Sequence, residues 1–290
     1  SSNNILLHGD GEGATLIDSG HCLHAEQTVA LVRNALRPGE RLATLVNTHL
    51  HSDHCGGNAA LRRAFGARLV IPPGEADAVA RWDEAALSYR DTGQRIERFT
   101  HDGLLRAGES ITVGERSWQA HAAPGHDPHS LLLFDAHDGV LISADALWAN
   151  GFGVVFPELD GERAFDVVAD TLDLIEQLAP RLVIPGHGTP FSDVAAALAR
   201  ARTRLARFVA DPASHARHGA KVLIKYHLLE EREQPWPDYL RWWTTTALAH
   251  RVWQRIGGPL GTLAAWGEAL ARELVAGGAL AQDGGVLRDA

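Results

Sequence analysis

The run Thr48-His49-Leu50-His51-Ser52-Asp53-His54-Cys55-Gly56-Gly57 constrains this chain more than any other stretch. Its imidazoles and carboxylate follow directly on the apolar segment Leu42-Ala43-Thr44-Leu45-Val46. That segment predicts a buried strand, and the glycine pair predicts a tight turn beyond the cluster. Polar groups so dense at a strand mouth are poor core material. Each one, once buried, needs a partner, and a metal ion satisfies several at once. The cluster reads as the first half of a two-metal site.

With 290 residues the chain is long enough for one large domain and a smaller one. A hydrophobic content of 45% with 22% charged residues describes an ordinary soluble globular protein. The net charge of −9 excludes a global basic field for nucleic acid or an anionic membrane. Only Cys22 and Cys55 are present, which argues against a disulfide scaffold and is compatible with a reducing compartment. No run approaches 18 apolar residues, and Ser1-Ser2-Asn3-Asn4 is not a secretory signal, so a cytoplasmic location is expected. The absence of methionine points to a processed or trimmed N-terminus, from which a signal could already have been lost.

Taken in order, Ile5-Leu6-Leu7 and Ala14-Thr15-Leu16-Ile17 predict strands joined by a turn over residues 8–13. Asp18 ends the second strand and reads equally well as support for a site at that edge or as a turn former. His21, Cys22 and His24 read as loop residues. Helical spacing is expected from about Glu26 to Leu36 and from Asn58 to Phe65, the latter stopped by Gly66. Leu69-Val70-Ile71 predicts a strand. The segment Gly74 to His101 is expected to be helix and loop, with at least two of Trp82, Tyr89 and Phe99 pinning it to the core. A loop and strand are expected over Arg106–Gly114 and another strand at Ser117–Ala122. A hairpin is expected from Leu131–Phe134 and Val140–Ile142, then a helix at Phe165–Leu178 and a strand at Leu182–Ile184.

Beyond about residue 193 alanine, leucine and arginine dominate. The expected organisation is therefore a domain over 1–200 and a mostly helical region over 201–290, ending in a small wing-like hairpin.

His126, Asp145 and His187 share one setting: each stands at or just beyond the C-terminal end of an expected strand, beside a glycine or a small residue. Adjacent strands bring such edges together. With His49, His51, Asp53 and His54 they form a set able to hold two metals. The H-x-H-x-D-H run, Pro124-Gly125-His126, Ser143-Ala144-Asp145, Pro185-Gly186-His187-Gly188 and the early Asp18 together resemble, in order, the motif set of the metallo-β-lactamase-fold hydrolases. The resemblance covers roughly the first 200 residues.

It implies an α/β fold of four layers, an αββα sandwich with the site at one edge of its two sheets. By position it assigns His49, His51 and His126 to one metal, Asp53, His54 and His187 to the other, and Asp145 to both. The implied cofactor is two Zn2+ per chain, with iron or manganese tolerated by the same donors. The implied chemistry is hydrolysis by a metal-held hydroxide, with Asp53 and Asp145 as catalytic residues and Asp53 orienting the water. No serine or cysteine nucleophile is then required, and Cys55 is expected to be a packing residue.

Departures from the named subfamilies narrow the choice. Asp145 argues against antibiotic hydrolysis, since the zinc β-lactamases nearest in motif lack a bridging aspartate. His51 stands where the flavin-linked diiron oxygen reductases carry glutamate. Only about forty residues separate Asp145 from His187, too few for the long-insert RNA-processing nucleases. What remains is similar to the glyoxalase II and lactonase-like groups, which attack an ester-like carbonyl in a thioester or lactone. An iron-dependent persulfide dioxygenase and a lactamase-like endoribonuclease are the alternatives. The expected partner is a small-molecule substrate, with nucleic acid disfavoured and no membrane association. Arg217, Lys221, Lys225 and Tyr226 read either as basic substrate contacts or as the exposed face of a helix. His129 reads as pocket lining or turn cap. His8, His101, His121, His137, His215, His218, His227 and His250 lack the strand-end context and are expected at surface or core positions.

Overall fold

Short apolar runs rich in leucine, valine and isoleucine, separated by glycine and proline, build two five-stranded sheets. The first comprises β1 (Ile5–Leu7), β2 (Ala14–Ile17), β3 (Leu42–Val46), β4 (Arg68–Ile71) and β5 (Gly103–Leu104), in that order. β1 is antiparallel to β2, whereas β2 through β5 run parallel. The second sheet runs β10-β9-β8-β7-β6, from β6 (Ser110–Val113), β7 (Arg116–Ala122), β8 (Leu131–Asp135), β9 (Val140–Ala144) and β10 (Leu182–Pro185). Here β10 lies parallel to β9 and the other pairs are antiparallel. The computed structural model describes residues 2–10 and 13–290; Gly11 and Glu12, inside the expected turn, lie outside the described residues.

Alternation along the strands sets the layers. Ile17, Val46 and Val70 from the first sheet pack with Trp118, Ala120, Leu131, Leu133 and Ile142 from the second, so the sheets share one core. The opposite face of the first sheet, with Leu16, Leu45, Leu69 and Ile71, packs against the helices Ala25–Ala35 and Asn58–Phe65. In the second sheet Leu132, Phe134, Leu141 and Val183 are buried on the other face. The helix Phe165–Leu178 buries Phe165, Val168, Leu172 and Ile175 along one stripe. This is the α/β sandwich of two mixed sheets with helices outside.

Contacts divide the chain into two compact units. One consists of the chain up to Tyr89 with Arg95–Gly153 and Ala164–Leu205, and holds both large sheets. The other consists of Arg90–Gln94, Val154–Arg163 and Ala206–Ala290. Its core is aromatic: Tyr239, Trp243 and Trp266 are buried among Leu223, Ile224, Leu228 and Leu270. The helices Pro212–Glu231, Trp236–Thr245, Ala247–Arg255 and Leu263–Ala276 supply most of it. They are joined by a sheet in which β13 (Val286–Asp289) lies between β11 (Glu233–Pro235) and β12 (Leu280–Asp283).

Several short elements were not visible as patterns, among them the turn of 3-10 helix at Cys22–His24, which read as loop, and the helical turn Ser52–Cys55. β5 spans two residues and β11 three, too short for any periodicity, and Pro235 is tolerated because β11 is an edge strand. The helix Phe156–Asp160 lies in what read as an irregular aromatic loop. Among the described residues no helix is long and apolar enough to cross a membrane.

Candidate metal centre

The first unit carries the whole His/Asp set at the C-terminal ends of its strands. After β3 the backbone bends at Thr48 and His49 and is extended at His51, which leaves the His49 and His51 rings 4.8 Å apart between centroids. A single helical turn, Ser52–Cys55, then presents Asp53 and His54. Leu131 N–H donates to Thr48 O, drawing the second sheet against this segment. His126 stands in the loop between β7 and β8, Asp145 just after β9 and His187 just after β10.

These seven side chains converge in three overlapping groups: His49, His51 and His126; His49, His54 and Asp145; Asp53, His54 and His187. Within each group the candidate ligand atoms lie within 4.8 Å of one another. His51 Nδ1 is 2.7 Å from His126 Nε2, and His187 Nε2 is 3.1 Å from Asp53 Oδ2. Asp145 Oδ2 is 3.3 Å from His126 Nε2 and 3.5 Å from His187 Nε2, while Oδ1 is 3.5 Å from His54 Nε2. His49 and His54 form a fully buried floor; His187, at 28% side-chain exposure, is the most open member.

Asp18 organises that floor. Its Oδ1 accepts from Thr48 N–H and its Oδ2 from Thr48 Oγ1, each at 2.8 Å. The same Oδ2 lies 2.8 Å from His54 Nδ1, and Thr48 Oγ1 lies 3.0 Å from His49 Nδ1. Each Nδ1 is thereby engaged as a donor, which leaves a lone pair on each Nε2. Asp18 holds a left-handed backbone (φ 58°) while almost fully buried, a conformation that costs a non-glycine residue on the order of 1 kcal/mol or more. Of the two readings open for Asp18, support for a site at the strand edge is the one its bonds fit.

The donor set fits divalent metal. His49 Nε2 and His54 Nε2 are buried without a hydrogen-bond partner, a costly state for a polar nitrogen that a cation relieves. The field acts in the same direction. Burial alone disfavours charge on His187, but the Asp145 and Asp53 carboxylates outweigh it and raise its pKa to about 9. His54 is driven the same way by Asp53, Asp145 and Asp18 against its own burial. On the opposite side burial lowers His51 to about 4 and keeps His49 well below the ordinary imidazole value. Neutral imidazoles on one side and a carboxylate-rich half on the other suit zinc, iron or manganese.

Residues that the motifs did not single out complete the frame. Asp127 Oδ2 lies 3.9 Å from His51 Nε2. Asn3 Nδ2 donates to Pro185 O at 2.8 Å and Gly188 O at 2.7 Å, and Asn3 N–H to Gly186 O at 2.7 Å, clamping the His187 turn. Trp148 Nε1 donates to Asp145 Oδ1 at 3.2 Å. Tyr89 and Phe99 are core residues, and Tyr89 Oη also donates to Leu50 O at 2.7 Å, between His49 and His51. Gly186 is required by contact: a Cβ there would lie 2.1 Å from Asp145 Oδ1. Asp127 and Trp148 had a faint signal, being one and three residues from a ligand candidate; Asn3, some 182 positions from its partner, had none.

Cys55 is fully buried against Leu50 O and Tyr89 Oη, and burial pushes its thiol up, the opposite of an activated nucleophile. His129 N–H donates to Asp127 Oδ1 in a turn, and its ring packs on Gly74. His215 and His227 belong to the second unit, where His215 Nε2 accepts from Val155 N–H and His227 stacks on Trp242 at 3.6 Å. Arg217 and Lys221 pair with Glu273, and Lys225 with Asp289, so these cations neutralise acids of their own unit.

A family model described as the metallo-beta-lactamase superfamily matches residues 1–187. A hydroxyacylglutathione hydrolase of Rhizobium johnstonii is 26% identical over 152 residues, 52% of this chain and 50% of that protein, so the chain spans about half the length of that relative. One from Anaeromyxobacter dehalogenans is 30% identical over 211 residues, 70% of this chain and 71% of that protein. A solved metallo-beta-lactamase family protein of Thermus thermophilus, 20% identical, covers 100% of this chain and 94% of its own with a TM-score of 0.55, a likeness of fold. The chain belongs to the metallo-beta-lactamase superfamily.

Proposed function

We propose that the chain is a dinuclear, zinc-loaded hydrolase of thioesters, with an acylated glutathione as the leading substrate and lactones as the nearest alternative. The observation that carries this reading is the convergence of seven donors in overlapping groups with Asp145 Oδ2 facing both His126 and His187. His49, His51 and His126 would hold one ion and Asp53, His54 and His187 the other, with Asp145 available to both. When bound, such ions would acidify a water and polarise a carbonyl oxygen. The names of the curated relatives support a glutathione thioester over other ester-like bonds.

The protein's own groups then do the following. Asp18 and Thr48 keep His49 and His54 in the tautomer that turns Nε2 inward. Asp53 Oδ2 lies on the His187 side, 3.1 Å from its Nε2, and Oδ1 accepts a hydrogen bond from the attacking water and takes its proton. As the C–O bond forms and the C–S bond breaks, that proton passes to the departing thiolate sulfur. The buried floor excludes bulk water beneath the reacting carbonyl, and the more open His187 side admits substrate.

The test is a screen of the zinc-loaded chain against an S-acylglutathione, a lactone and a short RNA. Saturable thiol release that disappears with chelator, and nearly all of it with Asp145→Ala, is the expected result. Inert thioester and lactone beside a cleaved RNA would overturn the reading.

A further inference from the structure

The loop after β9 is held rigid around one side chain. Ser143 Oγ donates to Leu147 O at 2.7 Å, Arg200 Nε donates to Ala149 O at 2.8 Å, and Gly153 N–H donates to Asp145 O at 2.9 Å. Trp148 and Gly151 close a tight bridge between them, with Trp148 N–H on Gly151 O at 2.7 Å. The residue so fixed is Trp148, whose carbonyl and amide neighbours are each tied down. Its indole N–H reaches Asp145 Oδ1 at 3.2 Å, and its ring stands edge-on to the His187 imidazole at 5.2 Å between centroids. One side chain thus touches the carboxylate assigned to both metals and an imidazole assigned to one.

We infer that Trp148 is a positioning residue of the metal centre, one that selects which oxygen of Asp145 is shared. A carboxylate can turn about its last bond and exchange its oxygens. Here Oδ1 is engaged by the indole N–H and backs onto Gly186, whose Cβ, if it had one, would lie 2.1 Å away. Oδ1 also lies 3.5 Å from His54 Nε2, on one side of the centre, whereas Oδ2 is within 3.5 Å of an imidazole from each side, His126 and His187. The indole also walls His187, the most exposed ligand candidate, limiting its swing toward solvent. Outer partners of this kind tune affinity by roughly 10–100-fold. The inference rests on the reading of these seven residues as metal ligands.

Cobalt titration of the metal-free full chain tests it, because the visible bands of Co2+ report coordination independently of turnover. Wild type is expected to take up two equivalents. Trp148→Phe, which keeps the ring and removes the N–H, is expected to bind the weaker equivalent roughly 10–100-fold less tightly. Its cobalt bands should also shift, with the far-ultraviolet circular dichroism unchanged. Trp148→Phe with wild-type affinity and bands overturns the role of Trp148 alone, whereas a wild type that takes up no cobalt overturns the metal centre and this inference with it. Should the variant not fold, the indole N–H resonance of wild-type Trp148, assigned by isotope labelling, decides. A shift on adding Zn2+ with slowed hydrogen exchange supports the role, and an unmoved signal overturns it.

Discussion

A single carboxylate, Asp18, sets the protonation pattern of the centre without being among the residues expected to touch metal. It receives Thr48 twice and His54 once, and through Thr48 Oγ1 it also fixes His49. Replacing it by asparagine retains the shape but offers an N–H where His54 Nδ1–H needs an acceptor. The imidazole then loses its enforced tautomer. Asp18→Asn is expected to weaken metal binding by roughly 10–100-fold, read by competition with a chromophoric chelator. Metal affinity equal to wild type would show that Asp18 has no part in metal binding. The same reasoning explains why Asp18 tolerates a left-handed backbone: three hydrogen bonds over-determine its position.

At the scale of elements, function collects where strands end. Each ligand candidate after the first cluster follows a strand of the second sheet, and parallel β9 and β10 bring Asp145 and His187 side by side. This was legible because strand-end glycines, histidines and aspartates are local signals, and because helices such as Asn58–Phe65 and Phe165–Leu178 carry clear periodicity and stops. The clamp from Asn3 on the His187 turn and the bond from Trp148 to Asp145 were not legible, since each depends on tertiary placement with no pattern of its own. The short strands β5 and β11 fall below the length at which alternation can be seen.

The hairpin of β8 and β9 yields a further expectation. Asp135, almost fully buried, accepts from Arg116 Nε at 2.7 Å and from His137 N–H at 3.0 Å. Burial pushes its carboxyl up, but the Arg116 guanidinium and the His137 and Asp138 amides more than offset this, and its pKa lies below the ordinary carboxylate value. A depressed folded-state pKa adds stability above the unfolded value near 3.8, and that stability is lost as pH falls through the folded value. Asp135→Asn is therefore expected to cost about 1–2 kcal/mol at pH 7 and progressively less below about pH 4, measured by denaturant melts across pH. A deficit that stayed constant into acid would contradict the ionic origin.

For the molecule as a whole, the metal is expected to be part of folded-state stability. His49 Nε2 and His54 Nε2, buried without a hydrogen-bond partner, are unfavourable burial that a cation relieves. Free ion at 100 times its Kd adds about 2.7 kcal/mol per site, so chelation is expected to lower the thermal midpoint by several degrees, reversibly on adding Zn2+. A melt indifferent to chelator would mean that the site contributes nothing to folding.

Metal analysis of the purified, folded chain decides whether these seven side chains form one centre for two ions. Two divalent ions per chain, falling sharply in Asp145→Ala, is the predicted result. One iron per chain accompanied by oxygen consumption would contradict the dinuclear hydrolase.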